Sequence, residues 1–113
     1  MKLINERTGA TVATEVELAD TSARRRRGLL GRDGLASGAA MVITRCNAIH
    51  TIGMRFPIDV AFVDASGRVR KIVQRLGPWR MSVSPLASSA IELAAGGLDG
   101  AVQVGDRIQL VSS

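Results

Sequence analysis

The sequence has few of the residues that mark several common protein classes. It contains one cysteine, Cys46, one histidine, His50, and three aromatic residues, Phe56, Phe62 and Trp79, with no tyrosine. A single cysteine excludes an internal disulfide, which agrees with a reducing compartment. Three aromatic side chains also leave little surface on which the bases of a single-stranded nucleic acid could stack.

Long apolar runs are missing as well. No stretch approaches the roughly 18 apolar residues that a membrane-spanning helix needs. The chain reaches charge again at Glu6, after only a few apolar residues, so the N-terminus lacks the apolar region of a signal peptide. We therefore expect a soluble, cytoplasmic protein without a membrane partner.

The composition is that of a folded protein with a basic surface. A chain of 113 residues, 46% of them hydrophobic, fits one domain over residues 1–113 with its own core. The net charge of +5 comes from 15 Lys and Arg against 10 Asp and Glu. Such a charge attracts phosphates and acidic surfaces. A basic composition alone, however, indicates solubility more directly than it indicates a partner.

Short segments with strand patterns dominate the chain. Residues 11–18 alternate between apolar and polar, and residues 58–63 and 68–73 read as a hairpin around a turn at 64–67. Residues 94–100 are either a glycine-rich turn or a short second helix. The fold class we predict is mostly β (α+β), as a compact β-sandwich or an open barrel of short strands. Further strand candidates are 1–5, 40–44, 46–51, 90–93 and 108–111.

One helix is predicted near residues 21–31. Thr21 lies in a cluster of N-cap residues and Gly31 is a C-cap candidate. The spacing of three and four residues places Ala23 and Leu30 on the core-facing side, together with Arg26 or Arg27. Arg24 and Arg25 are expected to point elsewhere.

Cys46 and His50 have the residue types of a nucleophile and its base, or of two metal ligands. On a strand, however, four residues separate them by about 13 Å, whereas proton transfer needs hydrogen-bond reach, about 3 Å. On a helix the same spacing would bring them together, but β-branched Ile49 and Thr51 favour a strand. The structural alternative is a buried small cysteine and a histidine bonded to a neighbouring group.

A second group of polar residues lies around the bend at Pro57. Thr51, Arg55 and Asp59, with His50 nearby, can form a pocket for an anionic or hydroxylated ligand. The structural alternative is an Arg–Asp or His–Asp pair that holds the bend.

Glu92 stands in the apolar segment 90–94 and is the last candidate for this pocket. On a strand its side chain alternates away from Ile91 and Leu93. It therefore faces solvent or supplies an acid to the pocket.

Four consecutive arginines, Arg24, Arg25, Arg26 and Arg27, are the candidate contacts for nucleic acid or another acidic partner. Phosphate contacts by arginine give salt-dependent affinity without sequence choice. On a helix the four side chains spread over more than one full turn, so they do not form one flat patch.

The run from Cys46 to Asp64 has the pattern C-x-x-I-H-T-x-x-M-x-x-P-I-D-x-x-F-x-D. In this pattern the chain resembles the domain of unknown function 192 family of small bacterial and archaeal proteins, whose central motif it carries in full. Residues 27–32 look like the family's GLM-x-R segment, with Leu30 in place of methionine. Residues 90–96 look like its v-L-E-L-x-x-G segment, and residues 105–106 look like its closing GD. Together these matches cover about residues 16–110.

The resemblance implies a compact β-sandwich or barrel-like fold with a small helical part, which agrees with the sequence pattern. The family has no established activity, so the resemblance implies no catalytic residue, and it implies that many relatives are exported. One branch of the family has Trp-x-x-Asn-Thr where His50 and Thr51 stand here. Thr51 and Asp59 fit both branches, so they are better candidates than His50 for a shared site or a shared structural bend.

The leading functional hypothesis is a non-enzymatic ligand-binding or accessory domain, with a pocket around Thr51, Arg55 and Asp59 and with His50 and Glu92 nearby. The alternative is a small hydrolase or metal-dependent enzyme that uses His50, Cys46 and Asp59. A second alternative is an arginine-rich module for nucleic acid or an acidic partner. No cofactor is predicted, Cys46 and His50 are the only weak metal candidates, and the pattern allows a monomer or a dimer.

Overall fold

A computed structural model describes residues 1–112 as short strands with one short helix. The strands form three sheets: a five-stranded sheet in the order β3-β4-β9-β6-β7, a three-stranded sheet in the order β10-β1-β2, and the pair β5-β8. The predicted mostly-β fold is confirmed, and these sheets form no closed barrel. In chain order the elements are β1 (Lys2–Asn5), β2 (Thr11–Ala13), β3 (Glu15–Ala19), α1 (Ser22–Arg27), β4 (Ala39–Thr44), β5 (Ala48–His50), β6 (Ile58–Val63), β7 (Val69–Leu76), β8 (Met81–Val83), β9 (Ser89–Ala94) and β10 (Ile108–Val111).

The three central strands of the large sheet are covered on both faces. All six residues of β6 are buried, as are the four inner residues of both β4 and β9. Strand β3 runs parallel to β4, and the other neighbours in this sheet are antiparallel. Successive side chains of a strand point to opposite faces, so the central strands contribute side chains to two separate cores.

The first core lies between the large sheet and the three-stranded sheet. Strands β6 and β9 contribute Ala61, Val63, Ile91 and Leu93, which pack with Leu3, Ala13 and Ile108 of the smaller sheet. The second core lies on the opposite face, where Val60, Phe62 and Met41 pack with Leu29, Ile49 and Met54. Leu29 and Ile49 belong to the segment after α1 and to β5, so these two elements cover the second face.

The hairpin of β6 and β7 follows the prediction and extends beyond it. Asp64 accepts hydrogen bonds from the backbone N–H groups of Ser66 and Arg68, and Gly67 takes a φ of 85°. The returning strand continues to Leu76, three residues past its predicted end. Residues 11–18 form two strands instead of one, because the chain leaves the strand conformation at Thr14. Residues 82–83, which lie outside the strand candidates of the sequence, belong to β8.

The helix prediction was right about the start and wrong about the end. Thr21 caps α1 through a bond from the Arg24 N–H to its hydroxyl, at 3.1 Å. Gly28 then takes a φ of 49°, and its N–H bonds to the Arg24 carbonyl, so the helix ends at Arg27 and not near Gly31. The alternative second helix at 94–100 does not form, since residues 95–101 make turns. Within residues 1–112, no helix is long and apolar enough to cross a membrane.

Gly67 provides a test of the hairpin. A Cβ at this position would lie 2.7 Å from the backbone oxygen of Ile108, and the positive φ strains any L side chain. We expect Gly67→Ala to lower the free energy of unfolding by about 2 kcal/mol or more in urea denaturation. Gly34→Ala is the control, because Gly34 has open space around it and no positive φ. Equal stability of the two variants would contradict this view of the turn.

Candidate functional site

Thr51 is fully buried, and its hydroxyl forms hydrogen bonds with backbone groups. Its Oγ1 donates to the Gly77 carbonyl at 2.6 Å and accepts from the Arg80 N–H at 2.9 Å. The Thr51 carbonyl accepts from the Trp79 N–H at 3.0 Å. The side chain thus fastens the connection between β7 and β8 to the end of β5, and its hydroxyl is already engaged as both donor and acceptor.

Asp59 is also fully buried, on the side of β6 that faces the first core. Its Oδ1 accepts from the Arg75 N–H at 2.9 Å, and its Oδ2 accepts from the N–H groups of Gly96 and Leu98 at 3.1 and 3.0 Å. Arg75 has a φ of 51°, which is rare for a residue other than glycine. One carboxylate therefore joins an irregular point in β7 to the turn that follows β9.

Arg55 lies on the surface and pairs with Asp33 at 2.7 Å, with both side chains exposed. Such a pair contributes little to stability. The bend is not held by an Arg55–Asp59 pair, and the structure does not bring Thr51, Arg55 and Asp59 together around one cavity.

His50 and Glu92 do border one cavity, of about 90 Å³, between α1, β5 and the floor of the large sheet. Its polar lining also includes Arg25, Arg26, Arg27 and Cys46. Its walls are apolar and come from Leu29, Ile43, Ile49 and Met54. Two of the five predicted ligand-binding residues therefore lie at this cavity, with the cysteine and three of the four arginines.

Glu92 is buried and does not face solvent. It stands between Met41 of β4 and Val60 of β6 in the sheet, on the face of the second core. Its Oε1 has no hydrogen-bond partner in the described part of the chain. Burial in this apolar setting raises the pKa of Glu92 to about 7, since the charged form loses its hydration.

Arg25 points toward the same cavity, contrary to the predicted orientation of α1. Ala23, expected in the core, is exposed, whereas Arg25 is half-buried. The Arg25 Nε is buried without a partner among residues 1–112, and its Nη1 reaches the Arg45 carbonyl at 3.5 Å. No ion pair within 4.0 Å joins Arg25 to Glu92 in that range. A guanidinium and a carboxyl thus border one small space without contacting each other.

Cys46 lies just before β5 and donates from its thiol to the Ala48 carbonyl at 3.1 Å. Burial raises the pKa of this thiol, the charge of Glu92 raises it further, and Arg25 lowers it. The thiol is therefore protonated at neutral pH, and a protonated thiol is a poor nucleophile.

His50 is exposed, and its Nδ1 accepts from the Ile52 N–H at 3.3 Å. Cys46 and His50 are thus each bonded to nearby backbone. No group of three or more His, Cys, Asp or Glu residues in 1–112 is placed to hold a metal ion.

The four arginines divide between two sides of α1 and form no single flat patch, but the predicted core-facing position of Arg26 or Arg27 is wrong, since both are exposed. Arg25 and Arg26 border a shallow depression beside His50. Arg24 and Arg27 line a groove along β3 on the other side. The spacing from Ala23 and Leu30 pointed to the wrong arginine, because α1 ends at Arg27 and Ala23 does not face the core.

Asp59 allows a direct test of its structural role. We expect Asp59→Asn to lower the free energy of unfolding by about 3 kcal/mol, because the amide can accept fewer of the three N–H bonds and brings its own donors. Chemical denaturation at neutral pH measures the difference. The control is Asp33→Asn, which alters an exposed pair and should change stability by less than about 0.5 kcal/mol. A stable Asp59→Asn protein would instead leave the carboxylate free for a functional role.

The comparisons with other proteins agree with this architecture. The sequence model of the DUF192 family, described as "Uncharacterized ACR", matches residues 3–110. A UPF0127 protein of Thermococcus sibiricus is 35% identical over 112 residues, which cover 94% of this chain and 72% of that protein.

Two crystal structures are similar in fold. A protein of unknown function from Novosphingobium aromaticivorans has a TM-score of 0.85 at 21% identity and covers 97% of this chain and 84% of its own. A protein described as a candidate transcription regulator from Sinorhizobium meliloti has a TM-score of 0.81 at 27% identity. The match covers 96% of this chain and 89% of that protein. The family match spans nearly all of the chain, and the protein therefore belongs to the DUF192 family.

Proposed function

We propose that this domain binds a small polar molecule, or the polar head of a larger one, in the cavity beside Glu92. The observation that carries the proposal is the pair of buried polar atoms without partners, Glu92 Oε1 and Arg25 Nε, at one cavity. Buried polar groups in folded proteins are nearly always hydrogen-bonded. A ligand, or water in its place, would supply the missing bonds.

The two side chains indicate the chemistry of the ligand. The Arg25 Nε–H is a donor and needs an acceptor, whereas an ionised Glu92 accepts only and needs a donor. A carboxamide group carries both, on an oxygen and a nitrogen that are bonded to the same carbon. A cavity of about 90 Å³ equals the liquid volume of about three water molecules, at roughly 30 Å³ each, which suits a group of a few heavy atoms.

Binding without catalysis fits the remaining groups better than the hydrolase alternative. The Cys46 thiol is held protonated, and it donates a hydrogen bond to the Ala48 carbonyl. The His50 Nδ1 accepts a backbone N–H, so this nitrogen is not free to take a proton from the thiol. Asp59, the third residue of that alternative, is engaged by three backbone groups on the other face of the sheet.

The protonation of Glu92 makes stability depend on pH. Its pKa rises from an ordinary 4.5 to about 7 on folding, so between these values the folded chain binds more protons than the unfolded one. Stability is therefore highest below about pH 4.5 for this group and falls as the pH rises to about 7, by about 3 kcal/mol in total. We expect Glu92→Gln to remove this dependence in urea denaturation at several pH values. Glu15→Gln, at an exposed position, should leave it in place, and an unchanged slope in Glu92→Gln would contradict the assignment.

Binding itself can be tested with acetamide as the probe. We expect acetamide to shift backbone amide signals near residues 25–30, 46–50 and 92 in a saturable way in two-dimensional NMR, with affinity in the millimolar range. Glu92→Met, which keeps the volume and removes the acceptor, should weaken binding by about tenfold or more. Glu15→Met is the matched control on an exposed strand position. If acetamide gives no saturable shifts with the wild-type protein, the cavity holds water only and the proposal fails.

A further inference from the structure

Strand β3 (Glu15–Ala19) forms one edge of the five-stranded sheet. Within residues 1–112 it pairs on one side only, with β4. An unpaired strand edge presents a row of N–H and C=O groups that another extended chain can join.

The backbone N–H and C=O groups of β3 point alternately toward β4 and away from it. The Glu15 N–H bonds to the Gly38 carbonyl, just before β4, and the Ala19 carbonyl lies 3.5 Å from the Thr44 hydroxyl of β4. The Leu18 carbonyl points the other way and accepts from the Arg24 guanidinium at 3.3 Å. Since alternate residues of a strand share one side, Val16 and Leu18 direct their backbone groups outward.

A groove of about 600 Å³ runs along this outer edge. The chain turns back after Asp20, so that α1 lies beside the strand it follows. Val16, Leu18 and Met41 line the groove with apolar surface. Arg24, Arg27 and Arg32 line it with positive charge, and Glu17 and Asp20 line it with negative charge. Its size falls in the range expected of binding sites, about 300–1,000 Å³.

Three arginines against two carboxylates leave the groove with an excess of positive charge, which favours an acidic occupant. Arg32 is already paired with Glu17 at 2.7 Å, but neither Arg24 nor Arg27 forms an ion pair with a carboxylate in the described part of the chain. Arg24 instead contacts a backbone carbonyl on an exposed surface. Two copies of this chain, each with a net charge of +5, repel each other, so a second copy is the poorer occupant.

We propose that β3 receives an extended acidic segment of another protein as an added strand. The incoming backbone bonds to the outward groups of Val16 and Leu18 and displaces the Arg24 side chain from the Leu18 carbonyl. Arg24 is then free, with Arg27, to pair with acidic side chains of the added strand. Strand addition of this kind takes its affinity from main-chain bonds and its specificity from the alternating side chains.

The groove lies on the opposite side of α1 from the Arg25 and Glu92 groups, although Arg27 and Gly28 border both spaces. The proposal is therefore independent of ligand binding beside Glu92. Glu92→Met should leave strand addition unchanged, and charge reversal at Arg24 should leave acetamide binding unchanged.

The experiment uses a synthetic seven-residue peptide of alternating Glu and Val, blocked at both ends, with the 113-residue chain. We expect binding in NMR titration, together with at least about tenfold slower hydrogen exchange at the Val16 and Leu18 amides. The Glu17 and Ala19 amides, which already face β4, should change little. The double variant Arg24→Glu/Arg27→Glu should bind about tenfold more weakly or worse, while Arg26→Glu, on the same helix but outside the groove, should bind as the wild type does.

Two further peptides complete the test on the wild-type chain, so that the result does not depend on the folding of a variant. A peptide with Lys in place of Glu should not bind, and the Glu peptide with N-methylated alternate amides should bind weakly, since methylation removes the donors of an added strand. Binding without protection of Val16 and Leu18, equal binding of the Lys peptide, or no binding of the Glu peptide would overturn the proposal. A dimer that protects the same two amides without peptide, seen in sedimentation at rising concentration, would assign the edge to a second copy and overturn it as well.

Discussion

The burial of strands β6 and β9 on both faces governs the polar chemistry of this molecule. A sheet with one solvent-exposed face could place its polar side chains in water. Here each polar side chain needs a hydrogen-bond partner in the protein interior. Asp59, toward the first core, finds three backbone N–H groups. Glu92, toward the second core, finds none for its Oε1 and shifts its pKa instead. An unpaired buried carboxyl is unfavourable for folding, which makes Glu92 the residue whose retention most needs a functional explanation.

Local signals in the sequence predicted the strands well, because strand alternation and turn residues act over a few neighbouring positions. The hairpin around Gly67 and the cap at Thr21 are examples. The end of the helix was harder, because Gly28 and Gly31 both follow the arginines and either can terminate a helix. The buried position of Glu92 was beyond these signals, because it depends on α1 and β5 covering a face that the strand pattern alone would leave to water.

In the candidate site, too, the sequence predicted which residues stand out but not how they pack. Thr51 and Asp59 stand out in the sequence as polar residues in an apolar stretch, and the structure places both in full burial. The sequence cannot tell a ligand partner from a backbone partner, however, because the groups that bond to Asp59 lie 16 to 39 residues further along the chain. Arg25 was a candidate contact for nucleic acid, but its place at the cavity was missed for a related reason. Four identical residues in a row carry no information about which one faces inward, and only the packing of α1 decides it.

The three hydrogen bonds to Asp59 also constrain the lengths of two chain segments, one in β7 and one after β9. The irregular point at Arg75 in β7 and the turn of residues 95–101 both depend on one carboxylate, so neither segment can gain or lose a residue without moving its N–H away from that oxygen. Insertions and deletions among relatives should therefore avoid these two segments for as long as the aspartate is present. Where a relative lacks it, both segments are free to change length together.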